Sequence, residues 1–79
     1  MAIVPTPEES AKRILAIFRR HDVRAEGTLM AGALNVEFLT RGGGTADEYR
    51  EGMEFALAEN SIEIEPNMVR LKEAGFAAM

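Results

Sequence analysis

The chain has 79 residues, 47% of them hydrophobic and 28% charged, which is the composition of one small globular domain too short to divide its core in two. It holds no cysteine, which excludes disulfide staples and thiolate metal sites and suits a reducing compartment. Nine basic residues against 13 acidic ones give a net charge of −4, which on average repels nucleic acid and anionic membrane.

Residues 1–5, MAIVP, read as an N-terminal arm without a basic n-region, and no run in the chain approaches the roughly 18 apolar residues that span a bilayer. A cytoplasmic protein with no membrane partner is expected. Thr6-Pro7-Glu8-Glu9 opens the first helix: threonine at the N-cap, proline at the first helical position and glutamate three residues after the cap. Ala11, Ile14, Leu15 and Phe18 then recur at helical spacing as a core stripe, while Lys12, Arg13, Arg19 and Arg20 form a basic back. Arg19, Arg20 and His21 fall in the last turn, where positive charge opposes the negative end of the helix dipole.

After an extended link at Asp22-Val23-Arg24, Gly27-Thr28 leads into the apolar stretch LMAGALNVEFL, residues 29–39. Two periods compete here. Leu34, Val36 and Phe38 alternate as a strand would, but the length and the alanine, leucine and methionine content favour a helix over about 28–40. With Glu37 its one charge, that helix is expected to be buried on more than one side.

Gly42-Gly43-Gly44 is read as the C-cap and turn ending it, because glycine adopts the left-handed conformation such caps need. A phosphate cradle would call for a lysine behind the loop, and Asp47 and Glu48 in the following turn would repel a phosphate. Thr45-Ala46-Asp47-Glu48 is a second capping box, opening a third helix to about Asn60 with Tyr49, Met53, Ala56 and Leu57 inward. Residues 45–61 concentrate the acid: Asp47, Glu48, Glu51, Glu54 and Glu59 against Arg50 alone.

The period then changes to two. Ile62-Glu63-Ile64-Glu65, a Pro66-Asn67 turn and Met68-Val69-Arg70-Leu71-Lys72 read as a β-hairpin with the isoleucines, Val69 and Leu71 inward. Phe76 is expected to turn back onto the core, and Met30, Met53, Met68 and Met79 to serve mostly as core fillers.

The phrases Leu57-Ala58-Glu59-Asn60-Ser61-Ile62-Glu63-Ile64-Glu65 and Arg70-Leu71-Lys72-Glu73-Ala74-Gly75-Phe76 resemble the end of a winged helix-turn-helix domain, in which a helix runs through a glycine into the wing. The resemblance covers about residues 8–77. This chain has Asn60 at the usual glycine and Lys72 at the usual threonine. It implies an α+β fold, winged-helix-like, with a three-helix bundle followed by a C-terminal two-stranded β-hairpin. It also implies duplex DNA binding of a transcriptional-regulator kind, with Arg41, Thr45 and Arg50 near the groove, Asn67, Arg70 and Lys72 at the wing, and a homodimer to double the contacts.

The acidity of the third helix argues for a second reading, an interaction module for a basic partner protein. Enzymatic chemistry finds little footing. His21 is the only histidine; Glu63 and Glu65 share one face as carboxylates of a metal or acid–base site would, but the outer face of an amphipathic hairpin accounts for them. Ser10 and Ser61 have no base nearby in sequence. No cofactor, metal or catalytic residue is expected.

Overall fold

The computed structural model describes residues 6–41 and 44–78. Among them the chain forms, in order, α1 (Pro7–Arg20), β1 (Thr28–Met30), α2 (Ala31–Thr40), α3 (Ala46–Ala58), β2 (Ile62–Ile64), β3 (Met68–Leu71) and α4 (Glu73–Ala78). The three strands make one antiparallel sheet in the order β1-β3-β2.

Helix α1 begins as its sequence dictates, with the Thr6 hydroxyl accepting from the Glu9 amide at 3.2 Å. It ends in a Schellman turn: Asp22, at φ 57°, is left-handed, and the Val23 amide donates to Phe18. Helix α3 repeats the arrangement. Thr45 and Glu48 cap each other reciprocally, and Asn60 takes the left-handed position at φ 59° while Ser61 donates back to Ala56. Helix α1 packs chiefly against α3. Their close approach runs over Gly52, where a Cβ would come within 2.8 Å of Ser10 and 2.9 Å of Ile14.

The middle apolar stretch is not one helix. Its first three residues pair with the hairpin, Thr28 opposite Arg70, Leu29 opposite Val69 and Met30 opposite Met68, so the expected two-stranded flap is a three-stranded sheet. A lone hairpin is marginal in water, and β1 adds a third strand on the open edge of β3. Helix α2 starts after the strand, and its burial is one-sided, with Leu34 and Phe38 enclosed while Val36 is 60% exposed. Its C-cap is Arg41, in right-handed helical geometry. The glycine cap assigned to the triple glycine falls on Gly42 and Gly43, outside the described residues. Gly44 serves a different purpose: the Phe38 ring lies where its Cβ would be. Phe38 in turn meets Tyr49 edge-on, with ring centroids 5.4 Å apart.

The core consists of Ile14, Phe18, Leu34, Phe38, Ile62, Val69 and Leu71, joined by Ala11, Leu15, Ile17, Met53 and Ala56. Five side chains expected inside lie outside. Met30 and Met68 belong to the outer sheet face, opposite Leu29 and Val69. Ile64 stands near the hairpin tip, beyond the core, and Leu57 lies off the buried stripe of α3. Phe76 is exposed because the short helix α4, which the sequence pattern did not announce, turns Gly75 inward against the Ser61 carbonyl and Leu71 and leaves its neighbour outside. No helix among the described residues is long and apolar enough to cross a membrane.

Candidate functional site

The sequence places its candidate contacts at the start of α3 and on the hairpin, and the fold sets these regions in two different electrostatic states. On α3 the buried stripe is Gly52, Met53 and Ala56. Asp47, Glu51 and Glu54, at i, i+4 and i+7, lie on the opposite side of the helix, all three exposed. Arg50 is the one cation of this helix, and it is already 3.7 Å from Asp47. Both side chains are well solvated, so the pair binds weakly and leaves Arg50 available. Arg41 stands exposed at the end of α2. The Thr45 hydroxyl accepts from the Glu48 amide at 3.2 Å, and the Glu48 carboxylate accepts from the Thr45 amide at 2.9 Å. Thr45 is therefore a cap first, with only its hydroxyl proton left to donate outward.

On the β2-β3 hairpin, Asn67 is exposed in the turn and its carbonyl accepts from the Ala31 amide at 3.0 Å, tying the hairpin tip to the start of α2. Arg70 and Lys72 are engaged. The Arg70 guanidinium meets Glu65 at 2.8 Å and donates to the Glu26 carbonyl at 2.9 Å. The Lys72 ammonium lies 3.4 Å from Glu26 and 3.9 Å from Glu63. Two cations thus share the outer sheet face with three carboxylates, and the face as a whole is negative. Part of this was legible, since Glu63, Glu65, Arg70 and Lys72 alternate onto one hairpin face. Glu26 was not: β1 pairing brings it in across more than forty residues of chain.

A second ionic group joins α1 to α2. Glu37 receives Arg20 at 2.7 Å and His21 at 2.8 Å. Because a carboxylate only accepts, His21 Nε2 carries the proton in this contact. The His21 hydrogen bond chiefly holds the Glu37 carboxyl below the usual range; desolvation partly opposes it, and the His21 charge and Arg20 add to the lowering. Position in the last turn explains Arg20 and His21 by the helix dipole alone; their shared partner Glu37 lies on another helix, 17 and 16 residues on. Burial raises the Tyr49 phenol above its ordinary value, as packing on Phe38 would.

Concavity is slight. A shallow groove between α1, α3 and α4, floored by Ala11, Leu15 and Ala56, has a volume of about 230 Å³, and an open depression lined by Arg19, Asp22, Val23 and Phe76 has about 300 Å³, at the lower edge of the usual range for small-molecule sites. Among the described residues, no three His, Asp or Glu side chains converge as a metal ion would require. What the molecule offers is convex surface: an acidic helix face, a carboxylate-rich sheet face and an uncharged face on α2. No family model, no curated protein and no solved structure matches this chain.

Proposed function

We propose that this chain is a non-enzymatic, winged-helix-like interaction module of the cytoplasm whose α3 face receives a basic partner protein. The element order α1-β1-α2-α3-β2-β3 supports the winged-helix reading, with α3 as the presented helix and β2-β3 as the wing. The single observation behind the choice of partner is the triad Asp47, Glu51 and Glu54, exposed opposite the buried side of that helix. Phosphate neutralisation supplies much of duplex affinity, so three outward carboxylates oppose DNA and favour lysine- or arginine-rich protein surface.

Duplex DNA binding is the second reading, favoured by Arg41 and Arg50, both exposed and flanking the start of α3. Its wing contacts, Arg70 and Lys72, would have to leave Glu26, Glu63 and Glu65 to reach phosphate. Amide chemical-shift mapping of the labelled protein, titrated in parallel with a lysine/arginine-rich helical peptide and with mixed-sequence duplex at about 50 mM salt, separates the two. The peptide is expected to shift Asp47 to Glu54, and the Glu51→Lys/Glu54→Lys double variant to lose that response. Duplex binding with a steep salt dependence, centred on Arg41, Thr45, Arg50 and Asn67, would replace the protein-partner reading.

A further inference from the structure

We draw no further inference here: the strongest candidate, the shallow groove that runs along α1 beside α3 and α4, carries cations at Lys12 and Arg19 and carboxylates at Glu8, Asp22 and Glu59, so that its charge selects no occupant and nothing in the structure shows what covers it.

Discussion

Glu37 shows how one side chain adds an ionic tie between two helices that already share the core. It is the one acid of α2, and it faces the end of α1, where Arg20 and His21 both reach it. Its folded-state pKa lies below the ordinary carboxylate value, chiefly through the His21 hydrogen bond. The sign follows from linkage: a depressed carboxyl stabilises the fold in full above its unfolded pKa, and that contribution disappears as pH falls through the folded pKa. Glu37→Gln should therefore destabilise the protein most above the ordinary carboxylate range. Urea midpoints measured along a pH series should show the gap between the two proteins closing in acid. A gap of constant size would mean that the ion pairs add nothing beyond hydrogen bonding.

At the scale of elements, caps account for where helices begin and stop. The reciprocal Thr45–Glu48 box starts α3 directly after Gly44. Thr45→Ala removes the acceptor for the Glu48 amide and should cost about 1 kcal/mol, which for a domain of this size lowers the melting temperature by about 4–8 °C. Thr45→Ser should retain most of it, and thermal unfolding of the three proteins checks the ranking. Such local devices were legible. Both N-caps, the left-handed Asn60 and the α1 stripe follow from side-chain chemistry within a few residues. The split of residues 28–40 into strand and helix was not, because Thr28 to Met30 pair with residues forty positions later, and no local period records that partnership. The same remoteness hid Glu26 from Arg70 and Lys72, whereas Arg50 beside Asp47 on α3 was within reach of the sequence. Helix α4 was missed for another reason: one turn and a half around an inward glycine has no apolar stripe to detect.

For the molecule as a whole, the arrangement of charge matters more than its total. Of the cations expected at a nucleic acid, Arg70 and Lys72 are held by carboxylates on their own sheet, and Arg41 and Arg50 remain at the opposite end of α2 from the wing. DNA binding as expected from the sequence needs all four together; here Glu26, Glu63 and Glu65 engage the hairpin's two. The protein should therefore show no measurable affinity for mixed duplex DNA at about 50 mM salt. Glu26→Gln/Glu63→Gln/Glu65→Gln keeps side-chain size and removes three negative charges from a net −4. These are surface pairs, each contributing at most about 1 kcal/mol, so the triple variant should fold. It should gain weak, salt-sensitive duplex binding, with a log–log salt slope of magnitude about 2 or more as Arg70 and Lys72 reach phosphates. Fluorescence anisotropy of a labelled duplex over a salt series measures both quantities. Unaltered behaviour of the folded triple variant would place the barrier to DNA on the α3 carboxylates alone, and restoring affinity would then require reversing Glu51 and Glu54.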